Sequence, residues 1–543
     1  MQAMAAGLAG VAVAGLMMGH GAMAGAATPA PQTAPKMAAP IYHQTPPGAK
    51  PRVVITTDPE LDDFNSLLRF LLYTPDFRVE GLIYASSQYH WKGDGKGTPF
   101  AVKGREYNSG GVNLCPCTSW RWAPGDRFID DALDAYARAY PNLRLHDRAY
   151  PSPQALRARV RWGNVAFDGD ISADTPGSRL IERLLLDADP APVYLHAWGG
   201  HSTIARALKA IEERYQHTPQ WPAIRAKVVA KAVIQPSGDQ DDTYATYIKP
   251  HWPEIRFMKQ EGAVSLGYLS QLTQHPQDAA LLGADWTRAN ISARGAMGAA
   301  YRVWGDGRQM VPGDTFDYFG IPGKTAKQLI AEGYHVWSPV FAPGSFISEG
   351  DTPTFLNLID NGLRAYRPDS FGGWGGTLVP GDEYKPFGAP PAVRAAVRAL
   401  IEDPAAHVEL PPVPRHPFMA AAQNDFAARL AWSVTPRYAG ANHAPRVAVQ
   451  GARAMTVRAG QALPLRATTS DPDGNRVALR WWPYAAAGSY RGDGAGLSGE
   501  GAAPALRVPQ DAKPGQTIHL IVEATDNGVP AMTRYDRVVL TVR

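Results

Sequence analysis

The 543-residue sequence has few cysteines. The only two, Cys115 and Cys117, are separated by a single proline. Two cysteines cannot build a disulfide framework, nor can they complete a tetrahedral zinc site by themselves. The pair is therefore either two structural thiols in a loop or a local disulfide formed after export.

The sequence also lacks an excess of charge of one sign. It has 54 Lys and Arg against 50 Asp and Glu, a formal net charge of +4, with no long block of like charge. Nucleic-acid-binding proteins need a basic face, so this class is excluded.

The 14 tryptophans exceed the usual share, and because indole faces stack on sugars they favour a carbohydrate-like ligand.

Only the N-terminus is continuously apolar. Residues 1–26 are uncharged and end in Ala-Gly-Ala, which predicts a cleaved signal peptide and a periplasmic or secreted protein, although no Lys or Arg precedes the apolar part. The alternative is a transmembrane anchor, which needs about 20 strongly apolar residues. Gly19, His20 and Gly21 interrupt the run, so no integral membrane anchor is expected. Residues 27–50, rich in Ala and Pro, predict a disordered linker.

Strand and helix patterns alternate after this linker. The predicted elements are a strand over 52–57, a helix over 62–73, a strand over 79–85, a strand over 192–197, a helix over 202–215 and a strand over 226–235. This alternation predicts an α/β fold with an open, mostly parallel sheet, whose ligands bind at the carboxyl ends of the strands. Residues 86–126 show no period and predict a long loop that walls the site.

The pattern changes after Asp403. A proline-rich stretch and a predicted helix near 418–432 form a linker over 403–441. From Asn442 onward, apolar residues alternate with polar ones between turn signals. This predicts an all-β, immunoglobulin-like sandwich over 442–543, after an α/β domain over 51–402.

Acidic residues crowd the turn between the first strand and the first helix. Asp58, Glu60, Asp62 and Asp63 lie within six positions. Such a cluster is electrostatically unfavourable unless a hard cation with oxygen ligands lies among the carboxylates. The alternative is helix capping, which needs only one carboxylate.

Two further segments are candidates for function. Glu349 and Asp351 precede an apolar, helix-like stretch over 355–363, which also suits a simple capping turn. In the segment FGGWGG, glycines surround the indole of Trp374. This segment is either a ligand wall or a packed surface loop.

Five motifs carry a family resemblance. They are, in order, PRVVITTDPELDDFNSLLRFLLY, HAWGGHSTIARAL, QDDTYATYIKPHWP, SEGDTPTFLNLIDNGL and GGWGG. Together they resemble the nucleoside-hydrolase-like family labelled cellulose-binding, over about residues 51–400. The C-terminal sandwich is similar to the domain that accompanies this family. The resemblance implies a sheet of nucleoside-hydrolase type in the first domain.

The resemblance also implies roles for individual residues. Asp58 would be the general base and a calcium ligand, and Asp62 would hold sugar hydroxyls. Asp63 would bind Ca2+ through both oxygens, Asp351 would be the distal ligand, and the backbone carbonyl near Ser202 would complete the set.

The sequence departs from the family signature at three positions. Thr56 replaces the usual first aspartate, Glu60 replaces the usual glycine, and Gly350 stands where a nucleoside-type histidine is expected. Recognition of the leaving group is therefore left open. Further candidates for the leaving-group acid or for sugar contacts are Glu349, Gln240, Asp241 and Asp242, with Trp374 as a ligand wall.

These observations predict an exported, calcium-dependent hydrolase of glycosidic bonds, acting on a furanoside-like or other plant or microbial saccharide. Two alternatives stay open: a nucleoside N-ribohydrolase, and a non-catalytic carbohydrate (cellulose)-binding protein. The expected partner is a carbohydrate or a nucleoside-like small molecule.

Overall fold

The computed structural model describes residues 39–108, 113–366, 371–381, 389–492 and 496–543. The signal peptide predicted over 1–26 and the first part of the predicted linker lie outside these ranges. Within them, no helix is both long and apolar enough to cross a membrane.

Seven strands form the central sheet of the first domain. They are β1 (Arg52–Thr57), β2 (Arg78–Tyr84), β3 (Val160–Trp162), β4 (Val193–Ala197), β5 (Ala232–Pro236), β6 (Arg256–Glu261) and β7 (Thr377–Pro380). Their order is β3-β2-β1-β4-β5-β6-β7. All neighbouring pairs are parallel except β6 and β7. The predicted mostly parallel sheet is thus confirmed.

Helices surround this sheet and continue beyond it. They are α1 (Leu61–Leu72), α2 (Phe128–His146), α3 (Pro153–Arg157), α4 (Pro176–Leu186), α5 (Ser202–Tyr215), α6 (Trp221–Lys231), α7 (Lys249–His251), α8 (Ser270–Thr273), α9 (Pro276–Ala279), α10 (Ala284–Thr287), α11 (Gly295–Ala300), α12 (Ala326–Ala331), α13 (Pro353–Leu356), α14 (Pro391–Glu402) and α15 (Met419–Val434). Short π-helical turns cover Tyr244–Ile248 and Arg288–Ser292. Short 3-10 turns cover Thr74–Asp76, Glu106–Asn108, Ala280–Leu282 and Tyr438–Gly440.

Strand β1 lies at the centre of a three-layered core. Its side chains alternate between the two faces of the sheet, as the geometry of a strand requires. Val53 and Ile55 pack in the cluster that includes α1, α2 and α15, whereas Val54 packs in the cluster that includes α4, α5 and α6. All three side chains are fully buried. This layering explains why the strand reads as a continuous β-branched run.

Two predicted elements differ from the structure. The strand expected over 226–235 is helix α6 as far as Lys231, and only then strand β5. A short apolar run does not distinguish the buried end of a helix from a strand, so the strand prediction was wrong up to Lys231. The helix-like stretch over 355–363 is helical only to Leu356, and Gly362 has a left-handed φ of 93° that is incompatible with a continuing helix.

The linker predicted to be disordered over 27–50 is ordered in its second part. Tyr42 donates its hydroxyl hydrogen to the Glu254 carbonyl at 2.8 Å, and the His43 N–H donates to the Ala230 carbonyl at 2.9 Å. Thr45 is buried. These contacts hold residues 40–50 against the ends of the sheet remote from the acidic turn.

The C-terminal part is all-β, as predicted. Its strands are β8 (Arg446–Val449), β9 (Ala454–Val457), β10 (Ala462–Pro464), β11 (Ala467–Ser470), β12 (Val477–Pro483), β13 (Gly496–Ser498), β14 (Ala505–Arg507), β15 (Thr517–Asp526) and β16 (Thr533–Val542). They form sheets in the orders β12-β15-β16-β9, β10-β14-β13 and β11-β8. The immunoglobulin-like arrangement stays a prediction.

The loop over 86–126 is held together by its own contacts. Trp91 pairs with Trp120 and Phe100 pairs with Cys117 through isolated β-bridges. Cys115 and Cys117 form a disulfide. The described residues of this loop are therefore ordered, and the loop follows β2 at the carboxyl edge of the sheet.

Candidate active site

The acidic turn lies where β1 ends and α1 begins. Asp63 Oδ1 accepts a hydrogen bond from Thr57 Oγ1 at 2.7 Å and another from the Asp58 N–H at 3.0 Å. The residue preceding α1, Glu60, makes no side-chain capping bond. Asp63 therefore ties the helix back to the strand instead of capping the helix, and helix capping does not explain the acidic cluster.

Asp58, which directly follows β1, is fully buried. Its Oδ1 accepts the Glu60 N–H at 3.1 Å and lies 3.4 Å from His90 Nδ1. Its Oδ2 is buried with no hydrogen-bond partner in the part of the chain that the structure describes. An unpaired buried carboxylate oxygen is costly, so a ligand for this atom is expected.

Asp351 comes from the loop before α13 and joins the same cluster. Its Oδ2 is likewise buried and unpartnered by the described residues. Burial, followed by the charge of Asp351, raises the pKa of Asp63 well above its usual range. Burial, followed by the charge of Asp62, does the same to the pKa of Asp351. These buried carboxylates therefore repel one another unless they share a cation or a proton.

Asp62 faces a different set of partners. Tyr268 donates its hydroxyl hydrogen to Asp62 Oδ1 at 3.2 Å, and Ser348 Oγ donates to Oδ2 at 3.3 Å. Burial and the charge of Asp58 raise the pKa of Asp62 to about 6. A Cβ at Gly350 would lie 2.5 Å from Asp62 Oδ2, which explains why this position holds no larger side chain.

A narrow cavity adjoins the acidic turn. Its lining includes Glu60, His90, Arg121 and Tyr268. The loop over 86–126 supplies His90 and Arg121, so it does wall the site. Arg121 pairs with Glu106 at 3.0 Å and with Asp314 at 2.8 Å, which fixes this wall.

Groups of possible metal ligands occur in this turn. Ligand atoms of Asp58, Glu60 and His90 lie within 4.8 Å of one another, and so do those of Glu60, Asp62 and Asp63. The site could thus hold a metal ion. Most of these donors are carboxylate oxygens, the type that hard cations prefer.

Comparison with known proteins identifies the family of this chain. Residues 52–378 match the family model described as "Cellulose-binding Sde182, nucleoside hydrolase-like domain". The chain belongs to this family. Residues 462–542 match the model of "Cellulose-binding protein Sde0182, C-terminal domain". The Sde182 family assignment therefore covers both parts of the chain, and the resemblance inferred from the motifs is confirmed.

A solved structure shares the fold of this Sde182-family chain. It is a nucleoside hydrolase-related hypothetical protein from Saccharophagus degradans, described as associated with carbohydrate metabolism. The TM-score is 0.63 at 24% sequence identity, and the match covers 91% of this chain and 100% of that one. At this identity the likeness shows the fold alone. No curated protein matches the sequence.

Two residues predicted for substrate contact are buried in this Sde182-family chain. Glu349 is fully buried and receives a hydrogen bond from Arg69 Nη2 at 3.1 Å, with Tyr301 as a further partner. Trp374 is fully buried, and its indole N–H donates to the Tyr535 hydroxyl of β16 at 3.4 Å. Both side chains are hydrogen-bonded within the protein, and a substrate contact by either stays a prediction.

The segment after β5 makes hydrogen bonds along the carboxyl edge of the sheet. Asp241 accepts the N–H groups of Ser202 at 2.8 Å and Thr243 at 3.1 Å. Gln240 donates to the Trp198 carbonyl at 2.7 Å. Gln240 and Asp241 are thus committed to backbone groups of this edge, and the role of the Ser202 carbonyl stays a prediction.

Asp242 differs from its two neighbours. Its side chain is 57% exposed and pairs with Arg105 at 2.9 Å. Arg105 also pairs with Asp168. Asp242 therefore lies at the rim of this edge, and no described contact joins it to Asp58.

Sequence reasoning missed several residues of this Sde182-family site. Glu60 was counted in the acidic cluster and noted as a departure from the signature, but it was given no role of its own, although its carboxylate adjoins the cavity. His90, Arg121 and Tyr268 carry no motif of their own. The one usable signal was the long loop over 86–126, which marks the wall without identifying its residues.

Proposed function

We propose that this chain is a calcium-dependent hydrolase of glycosidic bonds in a plant or microbial saccharide. The observation that carries the proposal is the pair of buried, unpartnered oxygens, Asp58 Oδ2 and Asp351 Oδ2, in one acidic site. Unpaired carboxylates at the carboxyl end of a parallel sheet suit a site that takes a ligand.

Ca2+ fits the donor set. Asp58, Asp63 and Asp351 would hold it, with the backbone carbonyl of Ser202 as a further ligand. A bound calcium would neutralise the clustered charge and orient the hydroxyls of the sugar. The choice of calcium over other cations rests on the family resemblance and on ligand atoms that are all oxygens.

The residues around the proposed calcium position have different roles in the reaction. Asp58 takes a proton from the attacking water, whose oxygen then bonds to the anomeric carbon as the glycosidic bond breaks. Asp62 accepts hydrogen bonds from sugar hydroxyls. Negative charge beside the sugar stabilises the oxocarbenium-like transition state of this reaction.

Glu60 is placed to protonate the leaving oxygen. It lines the cavity beside Tyr268, whose hydroxyl donates to Glu60 Oε1 at 3.1 Å. Burial and the charges of Asp62 and Asp58 raise the pKa of Glu60 well above its usual range, which favours the protonated, donating form. Glu60 thereby takes the role of leaving-group acid, for which the sequence offered Glu349, Gln240, Asp241 and Asp242 as candidates.

The family description and the abundance of tryptophan support a saccharide as the substrate.

A second candidate function uses the same site without turnover. The family is described as cellulose-binding, and a calcium site that grips sugar hydroxyls serves such a protein equally well.

The first experiment tests the metal. Calorimetry with calcium is expected to show binding by the wild type and by Asp285→Asn, a control acid whose side chain is 98% exposed. Asp351→Asn is expected to bind calcium at least about 10-fold more weakly, because a charged ligand is lost. Unchanged binding by Asp351→Asn would refute the proposed ligand set.

The second experiment tests the reaction. Product release is measured from furanosides, cell-wall glycans, inosine and uridine, with and without chelator. Asp58→Asn is expected to lower turnover by about 10²–10⁴ even at saturating calcium, because the general base is lost. Asp351→Asn is expected to recover turnover as calcium is raised.

The outcomes separate the candidate functions. Chelator-sensitive turnover of a glycan supports the proposed hydrolase, whereas turnover of inosine or uridine alone identifies a nucleoside hydrolase. Calcium-dependent glycan binding with no product from any substrate identifies a carbohydrate-binding protein.

Export is proposed from residues 1–26. Mass spectrometry of the mature protein is expected to place its N-terminus at residue 27, and an intact Met1 on the purified native protein would contradict export by this signal.

A further inference from the structure

We propose that Trp337 forms a sugar-stacking subsite at the mouth of the acidic site, so that the protein takes saccharide chains with a ring beyond the one held at Asp62. This inference rests on the proposed function and deepens it. It states that the substrate is an oligosaccharide or polysaccharide and not a glycoside of a single sugar.

Trp337 is unusual in its exposure. All 14 tryptophans lie in the described ranges, and only Trp337, at 43%, and Trp162, at 38%, are exposed. Trp337 makes two edge-to-face ring contacts. The ring centroids are 5.0 Å apart for Tyr268, with an interplanar angle of 79°, and 5.9 Å apart for Phe319, with an interplanar angle of 77°. No ring of the described chain stacks flat on this indole.

A single tyrosine separates Trp337 from the acidic residues. The hydroxyl of Tyr268, whose ring contacts the indole, lies within hydrogen-bond distance of both Glu60 Oε1, at 3.1 Å, and Asp62 Oδ1, at 3.2 Å. Tyr268 and Phe319 both line the cavity beside Glu60. The exposed indole therefore stands at the outer side of the residues that line the site.

The backbone that carries the indole is held in place. The buried Tyr318 hydroxyl accepts the Ser338 N–H at 2.9 Å and the Trp337 N–H at 3.4 Å. An aromatic platform that is already fixed loses little freedom when a ligand stacks on it. Binding sites combine such aromatic surface with a few polar groups, and here the polar groups are the carboxylates beneath Tyr268.

Trp162 is also exposed, but its ring face contacts other residues of the protein. It stacks on Tyr84 at 4.1 Å and 12°, and Lys92 Nζ lies 5.0 Å from its ring. It also lies at the carboxyl end of β3, on the same edge of the sheet. Trp162→Ala is therefore a matched control for loss of an exposed indole.

The test measures binding as a function of chain length. The probes are cellohexaose, xylohexaose and arabinohexaose, each beside its monosaccharide, titrated by calorimetry with calcium present. For the hexasaccharide that the wild type binds best, Trp337→Ala is expected to raise Kd about 10-fold and leave the monosaccharide Kd unchanged. Trp337→Phe is expected to keep most of the affinity, and Trp162→Ala all of it.

Several results would overturn the subsite. They are equal hexasaccharide binding by Trp337→Ala and the wild type, equal losses in Trp337→Ala and Trp162→Ala, or no wild-type binding of any probe. Failure of the proposed reaction has a separate signature. If no glycan is turned over but Trp337→Ala selectively loses hexasaccharide binding, the subsite stands and the hydrolase does not.

Discussion

The Asp58 carboxylate lies directly against the backbone of Gly199: a Cβ placed on Gly199 would stand 2.8 Å from Asp58 Oδ2. The pairing of β1 with β4 causes this approach, because Thr56 is opposite Ala197 in the register and both chains continue past the edge of the sheet. The position of the proposed general base therefore depends on a glycine that follows another strand.

Gly199→Ala tests this dependence. The added methyl must displace the Asp58 carboxylate, so turnover is expected to fall about 100-fold and calcium affinity to weaken. Gly267→Ala is the control, because a Cβ at Gly267 meets no atom within 4 Å. Kinetics and calorimetry on both variants check the prediction, and wild-type behaviour of Gly199→Ala would contradict it.

Calcium affinity is expected to fall as the pH falls. Burial raises the pKa of Asp63 and Asp351 well above the usual range, and that of Asp62 to about 6. Carboxylates must lose their protons to bind a cation, so calcium binding releases protons in mildly acidic buffer.

Calorimetry in two buffers of different ionisation enthalpy measures this release. Between about pH 5 and about pH 8 the calcium affinity is expected to rise, and the dependence of the apparent binding enthalpy on the buffer is expected to be larger at the acidic end. An affinity that is constant across this range would mean that the site does not consist of these carboxylates.

Asp425 on α15 is expected to stabilise the protein above about pH 4. Burial by itself would raise its pKa, but the charges of Arg534 and Arg429 outweigh burial and lower the pKa from 3.8 to about 2. Arg534 belongs to β16 and lies 2.7 Å from Asp425. The folded pKa is depressed, so the stabilisation is present above the unfolded value and is lost as the pH falls towards 2.

Urea unfolding of Asp425→Asn checks this expectation. The loss of the ion pairs is expected to cost about 2–3 kcal/mol near neutral pH, and the difference from the wild type should shrink as the pH approaches 2. Asp285→Asn is expected to unfold as the wild type does. A difference that does not change with pH would refute the electrostatic origin.

Trp374 is expected to matter for stability and not for ligand binding. Its indole is buried between the first domain and β16, so Trp374→Ala leaves a cavity and is expected to cost about 3–5 kcal/mol. Unfolding curves measure this cost, with Trp162→Ala as the exposed control. Trp374→Phe, a milder change, should bind calcium and glycans as the wild type does; weaker glycan binding would restore Trp374 as a ligand contact.

Local sequence determined the centre of the site. The run Val53-Val54-Ile55 forms β1, and the apolar spacing from Phe64 forms α1. Asp58, between these elements, and Asp63, in the first turn of α1, therefore lie at the carboxyl edge of a parallel sheet. These features depend on neighbours within a few positions, where strand period, helix period and turn chemistry act directly. The alternation at the C-terminus determined its all-β class in the same way.

Only the tertiary structure decided which other side chains face that centre. Glu349 and Asp351 are two positions apart, yet one is paired with Arg69 in the core and the other faces Asp63. His90, Tyr268 and Trp337 come from segments far apart in the chain, and Trp374 lies inside because β16 covers it. The direction of a loop side chain depends on long-range packing and on burial of charge, which no local period encodes.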